Sequence, residues 1–268
     1  MNKAERLIKY VVLIIASVVS VFPLYWMAVS ATNKSTDILA GKMLPGKHII
    51  ENFTNLSGSY NIGGAMVNSM KYSVLMTVAS LIICSLAGYG FEIYHDKVKD
   101  KVMSILLLAL MVPFVAILIP LFQMMSKLGL LNTALGFMLP SLSTPFLIML
   151  FRQNAKAFPY EIVEAARIDG CTELRIFVSF FIPTMKSTFA AAIIITFMNA
   201  WNSYLWPKVI MQTDESITMP ILIASLKDGY FTDYGVLMLA VLICTLPTII
   251  IFFFLQKQFA EGIAGSVK

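Results

Sequence analysis

Ionisable groups are scarce where this sequence is most apolar. Only 13% of its 268 residues are Asp, Glu, Lys or Arg, and the long apolar runs hold almost none of them. Groups that bind a coupling ion at membrane depth are usually ionisable, so a proton-driven carrier is disfavoured. A sodium site made of backbone carbonyls escapes this test. Histidine occurs twice, at His48 and His95, each isolated. The three cysteines, Cys84, Cys171 and Cys244, lie far apart with no Cys-x-x-Cys pair. That excludes a disulfide framework or a zinc site, and no metal site is expected. No Gly-x-x-x-x-Gly-Lys-Ser/Thr loop is present to cradle nucleotide phosphates with its backbone amides. The chain therefore cannot hydrolyse ATP by that route. With no His-Glu-x-x-His motif and no Ser/His/Asp set in the apolar runs, no catalytic residue is assigned and a membrane enzyme is poorly supported.

What is abundant is apolar length. Hydrophobic residues make up 58% and the mean hydropathy is +0.80, against about 45–50% apolar in soluble domains. Six apolar runs lie near residues 8–30, 72–91, 102–125, 133–151, 188–206 and 234–255. Each approaches the length, about 20 residues, that crosses the hydrocarbon. The first is too long for a signal peptide and lacks a small-residue cleavage site. The expected fold is an all-α membrane protein with six transmembrane helices. With both termini inside, 13 of the 20 Lys and Arg fall on inner segments, so the termini are read as cytoplasmic by the positive-inside rule. The net charge of +5 has the same origin and does not point to nucleic acid. Pro23, Pro113, Pro120, Pro140, Pro145 and Pro247 fall within the runs. They suit kinked helices around a cavity, or simply reflect the frequency of proline in membrane helices. Asn33, Asn52 and Asn55 open Asn-x-Ser/Thr triplets, which arise by chance and carry no weight.

The largest inner segment, 152–187, is the most informative. Pro159 can open a helix, with Glu161 and Glu164 near its positive end. Ile162, Ala165 and Ala166 share a face, and Gly170 closes the helix because it tolerates the left-handed turn. Thr172 is a plausible N-cap for a second helix, with Glu173 in its first turn. Leu174, Phe177, Val178 and Phe181 are expected to form its apolar face, with Arg175 pointing away. The pattern alone also fits an amphipathic connector lying on the lipid.

Glu164-Ala165-Ala166, three residues, Gly170, nine residues, then Phe180-x-Ile182-Pro183 resembles the EAA loop of ABC importer permeases, with Phe180 and Ile182 in place of Ile and Leu. Phe22-Pro23-Leu24-Tyr25-Trp26, Asn68-Ser69, Trp201-Asn202 and the tail from Glu261 to Lys268 resemble sugar-importing members. The whole chain is similar to the smaller permease of maltose and oligosaccharide systems. One departure, the short outer segment 31–71, argues against maltose itself.

The resemblance implies a type I ABC importer transmembrane fold. Residues 1–67 would hold the first span and an outer loop, 68–256 the core transmembrane domain with the coupling loop 152–187, and 257–268 a cytoplasmic tail. It implies a bacterial cytoplasmic-membrane permease that moves a sugar or oligosaccharide inward. Its partners would be a second, different permease, two ATPase subunits that bind ATP and Mg, an extracytoplasmic sugar-binding protein and membrane lipid. The chain itself would need no cofactor. Glu164, Ala165, Ala166, Asp169 and Gly170 would form the ATPase-coupling surface. The outer loop 207–233, with Asp214, Glu215, Asp228 and Tyr230, would reach the binding protein, or serve as a plain solvated loop. Thr196, Asn199, Ser203 and Trp206 recur at helical spacing and would line a sugar path on one helix face, although small polar residues also glue neighbouring helices. The same architecture could import a glycerol phosphate or an amino acid. A self-contained channel or secondary carrier is the reading from another class.

Overall fold

A computed structural model describes residues 3–228 and 231–265, and all regular structure among them is helical. In order these are α1 (Lys3–Ser30), α2 (Ser35–Leu39), α3 (Ile49–Ser59), α4 (Ile62–Ile93), α5 (Lys97–Ala109), α6 (Phe114–Lys127) and α7 (Ala134–Met138). A 3-10 turn, Leu139–Ser141, precedes α8 (Pro145–Ala155) and α9 (Tyr160–Ile168). Then come α10 (Glu173–Ile176), a π turn at Phe177–Phe181, α11 (Ile182–Thr184), α12 (Lys186–Trp201), α13 (Leu205–Ile210), α14 (Met219–Ser225) and α15 (Tyr234–Gly265). Tyr230 and residues 266–268 lie outside the described residues.

Three helices are long and apolar enough to cross a membrane alone: Glu5–Ser30, Ile62–Ile93 and Tyr234–Phe254. Three bent pairs of helices bring the number up to six where each pair is counted as one span. The third, fourth and fifth apolar runs are thus not straight rods. The third breaks by 97° between α5 and α6 and the fourth by 55° before α8, while an 85° bend between Glu173–Thr184 and α12 precedes the fifth, which itself is interrupted after Trp201. Proline accounts for the first two breaks. Pro113 sits in extended backbone before α6 and Pro145 opens α8, where neither can donate to the preceding turn. Pro23, Pro120 and Pro247 remain inside continuous helices. The second span starts at Ile62, earlier than its apolar run.

The chain divides into two compact units, Met1–Gly63 with Ile221–Pro247, and Gly64–Pro220 with Thr248–Lys268. In the first, α1 exposes its apolar residues over most of its length, as a lipid-facing helix should. Two buried asparagines close the outer segment. Asn52 Nδ2 donates to the carbonyls of Ala31 (2.9 Å) and Asn33 (3.1 Å), and Asn33 Nδ2 to those of Val29 and Leu44, both 2.9 Å. A Cβ at Gly235 would lie 2.6 Å from the Asn33 carbonyl oxygen, so glycine is required there. Burial of Asn33 and Asn52 leaves no room for a glycan on either.

In the second unit, α4 crosses α8 at closest approach. A Cβ on Gly88 would lie 2.5 Å from Phe151 Cβ and 2.8 Å from the Arg152 backbone nitrogen. Around the crossing pack Leu81, Cys84, Met103, Leu147, Ile148, Phe151 and Ala192. Arg152 then ties three helices at one end. Its Nη2 donates to Asp100 Oδ1 of α5 (2.5 Å) and its Nε to Glu92 Oε2 of α4 (3.4 Å). With only 12% of its side chain exposed, the guanidinium matches both carboxylates in a partly desolvated place.

Candidate functional site

The 152–187 segment folds as two short helices about a glycine turn. Pro159 supplies the N-cap backbone of α9. At the other end Gly170 has φ 76°. The Cys171 N–H donates to the Ala166 carbonyl (2.9 Å) and the Gly170 N–H to the Arg167 carbonyl (3.0 Å). This Schellman arrangement satisfies carbonyls that the helix end leaves open. Thr172 Oγ1 accepts the Arg175 N–H at 3.4 Å and caps α10.

Arg167 fastens the two helices across that turn. Its Nε donates to Glu173 Oε1 at 2.7 Å and its Nη1 to the Tyr160 hydroxyl at 3.2 Å. The guanidinium also lies over the rings of Tyr94 (5.6 Å) and Tyr160 (6.0 Å). Partial desolvation raises the Tyr94 hydroxyl above its ordinary pKa, and its hydrogen bond to Glu173 acts the same way. Tyr94 therefore stays a neutral donor. Glu173 is held by groups from two sides, and the turn gains a fixed angle.

The inward face of this element differs from the expected one. Val163 and Ala166 of α9 are buried with Ile176, Phe177, Phe181 and Met185 against Tyr89, Ile93, Ala155 and Phe158. Ala166 belongs to the internal packing, not to the free surface. Leu174 and Val178 face outward, Leu174 being 66% exposed. The reason is local: the π turn Phe177–Phe181 widens the helix, so Ile176 and Phe181, five apart, meet the same core. The exposed rim consists of Glu161, Glu164, Ala165, Ile168, Asp169 and Gly170. Ile168, 86% exposed, escaped the sequence reading because it lies off the Ile162–Ala165–Ala166 stripe.

A cavity of about 150 Å³ opens in the same unit. Thr196, Asn199, Ser203 and Trp206 all line it, with Ser80, Ser141 and Thr144. The four residues do not share one helix face. α12 ends at Trp201, Ser203 lies in the break, and Trp206 comes from α13. Trp206 turns its ring into the wall, 5% exposed, and its Nε1 donates to the Gly136 carbonyl at 3.1 Å. Its polar atom is satisfied by protein, leaving Ser80, Ser141, Thr144, Thr196, Asn199 and Ser203 as hydroxyl and amide lining. Ser80 already donates to the Leu142 carbonyl at 2.7 Å. No Lys, Arg, Asp or Glu lines this cavity, and no metal-binding cluster occurs among the described residues.

Residues 81–265 match the family model of the binding-protein-dependent transport system inner membrane component. The chain belongs to this family. This permease is 41% identical to the lactose transport system permease protein LacG of Rhizobium radiobacter, over all of this chain and 98% of the relative. It is 33% identical to the arabinooligosaccharides transport system permease protein AraQ of Bacillus subtilis, covering 94% and 92%. It is 28% identical to the sn-glycerol-3-phosphate transport system permease protein UgpE of Escherichia coli, covering 97% and 96%. Among solved structures, a bacterial ABC transporter involved in the import of the acidic polysaccharide alginate superposes with a TM-score of 0.82. At 20% identity over 97% of this chain and 99% of that one, this shows the same fold, that of a type I ABC importer permease.

Part of the outer loop of the permease is held by side chains of its own unit. Asp214 and Glu215 are exposed at the tip of a turn between α13 and α14. Asp228 is exposed after α14, in the other unit, and Tyr230 lies outside the described residues. Asn68 and Ser69, the dipeptide just before the second apolar run, anchor the held part, since both side chains bind the backbone of the 215–219 stretch.

Proposed function

We propose that this permease imports a sugar or an oligosaccharide into the cell, with ATP hydrolysed on separate subunits. The observation that carries the coupling role is the outward rim of α9. Glu164, Ala165, Ile168 and Asp169 stand free beside a turn whose angle Gly170 and Arg167 set. An ATPase subunit closing on that rim displaces the buried side of the element, and so α4 and α8. The chain has no phosphate-cradling loop, and its energy enters here.

In this reading the protein is a multi-pass component of the bacterial cytoplasmic membrane with both termini inside. A second, different permease completes the path, two ATPase subunits bind ATP and Mg, and an extracytoplasmic binding protein delivers the solute. Residues 68–256 form the core domain. Thr196, Asn199, Ser203 and Trp206 with Ser80 offer hydroxyls, an amide and a ring edge to the cargo. A neutral polyol suits that lining, while a phosphate ester calls for cations that the cavity lacks. The names of the two more similar relatives, a lactose and an arabinooligosaccharide system, support the same class.

Purification from its native membrane with the partner subunits, followed by reconstitution into liposomes, tests the proposal. The expected result is uptake of a labelled oligosaccharide that requires internal ATP and the binding protein. Uptake without any ATPase subunit would instead establish a self-contained carrier. Stimulation by glycerol phosphate and by no sugar would establish the other cargo.

A further inference from the structure

The stretch between α13 and α14 is short, polar and held unusually tightly for an exposed loop. Asn132 has φ 58°, the sole positive φ outside glycine among the described residues. This conformation costs asparagine less than most residues. It aims Oδ1 at the loop, where it accepts from the Gln212 N–H (2.5 Å), the Thr213 N–H (3.2 Å) and Ser216 Oγ (3.0 Å). The Asn132 N–H donates to the Ile210 carbonyl at 3.0 Å. On the far side, Asn68 Nδ2 donates to the carbonyls of Glu215 (2.6 Å) and Ile217 (3.1 Å), and Ser69 Oγ accepts the Met219 N–H (2.8 Å). Ile210, Met211, Ser216, Thr218 and Met219 are buried, while Gln212 to Glu215 stay exposed. A four-residue acidic tip is thus clamped at both feet by side chains from two other segments, none of which reaches the tip's own side chains.

We propose that Asn132 and Asn68 are positioning residues that preset the 212–215 tip for the extracytoplasmic binding protein. The inference rests on the outer-loop role in the proposed function and adds what fixes the loop. Ordering a loop at the moment of docking subtracts from affinity, and a preset loop avoids that loss. The two asparagines act in opposite senses, which their partners dictate. Every group facing Asn132 Oδ1 is a donor, and both groups facing Asn68 Nδ2 are carbonyl acceptors. One chemical change therefore has opposite consequences at the two positions. Asn→Asp keeps the acceptor at 132. At 68 it replaces the donor with a carboxylate that faces two carbonyl oxygens.

The test uses the reconstituted complex and its binding protein, reading ATP hydrolysis against binding-protein concentration. Asn132→Asp leaves the half-saturating concentration unchanged, whereas Asn132→Gly, which keeps the backbone and loses the acceptor, raises it about tenfold. Asn68→Asp raises it by a similar factor and Asn68→Gln does so less. The maximal stimulated rate and the basal rate stay as in the wild type, which a general folding defect would not allow. A variant lacking residues 212–215 separates the two levels. If it loses stimulation while Asn132→Gly and Asn68→Asp behave as wild type, the loop role stands and the positioning role is refuted. If the deletion variant is also fully stimulated, both are refuted. Equal effects of Asp at 132 and 68 likewise overturn the assignment.

Discussion

Gly170 allows the coupling turn to be tested by backbone energy alone. At φ 76°, an L-residue pays about 1–2 kcal/mol relative to its preferred backbone. Nothing lies within 4 Å of a Cβ built there, so Gly170→Ala adds strain without a clash. A cost of that size shifts an equilibrium about 5–30-fold. That factor is the ceiling on the fold-loss of complexes whose turn keeps the geometry proposed for the ATPase contact. Asparagine enters the left-handed region more readily, so Gly170→Asn pays only part. The assay is binding-protein-stimulated ATP hydrolysis by the assembled complex. The expected order is wild type, then Asn, then Ala, with Ala reduced by at most that factor. Gly170→Pro abolishes stimulation, because proline cannot adopt this φ, while the complex still copurifies. Should Asn fall as far as Ala, or should Ala be fully stimulated, the turn is not what transmits the signal.

Further outcomes follow from the same geometry. Arg167→Ala leaves the melting temperature of the complex nearly unchanged, since exposed ion pairs are worth about 0.2–1 kcal/mol. It nevertheless lowers the ratio of stimulated to basal hydrolysis, and the exchange Arg167→Glu with Glu173→Arg restores part of it. Trp206→Phe strands the Gly136 carbonyl and destabilises by about 1–3 kcal/mol, read as a lower melting temperature in detergent; an unchanged melt contradicts the assigned bond. Asn199→Leu removes an amide from the cavity lining, raises the half-saturating sugar concentration for uptake and spares basal hydrolysis.

Elements with local chemical signatures are legible in the sequence alone. Pro159, Gly170 and Thr172 mark the ends of α9 and α10 because caps and left-handed turns depend on neighbouring residues only. Which face of each helix goes inward is less legible. Ala166 turns in with Val163 against Tyr89 and Phe158, a contact made by distant segments, and Ile176 and Phe181 share that core because of a π turn whose width nothing in the Phe177–Phe181 sequence announces. At Pro113 and Pro145 the sequence admits a kink without distinguishing it from an uninterrupted helix like that at Pro23, Pro120 or Pro247, since the outcome depends on packing across the unit. Thr196, Asn199, Ser203 and Trp206 meet at the cavity for a reason periodicity could not supply, since α12 stops at Trp201 and the chain folds back. Asn132 carries no signal at all, because its partners lie some 80 positions away in sequence.

The crossing at Gly88 gives α4 a mechanical character. Ser80 at the cavity, Gly88 against α8, and Ile93 in the coupling core lie on one unbroken helix. At 1.5 Å per residue the arm from Gly88 to Ser80 is about 12 Å and the arm to Ile93 about 7.5 Å. The same rod is packed on both sides of the crossing, by Leu81 and Cys84 toward the cavity and by Tyr89 and Ile93 toward the coupling segment. On the proposed function, one stiff element thus connects the rim of α9 to the polar lining around Ser80.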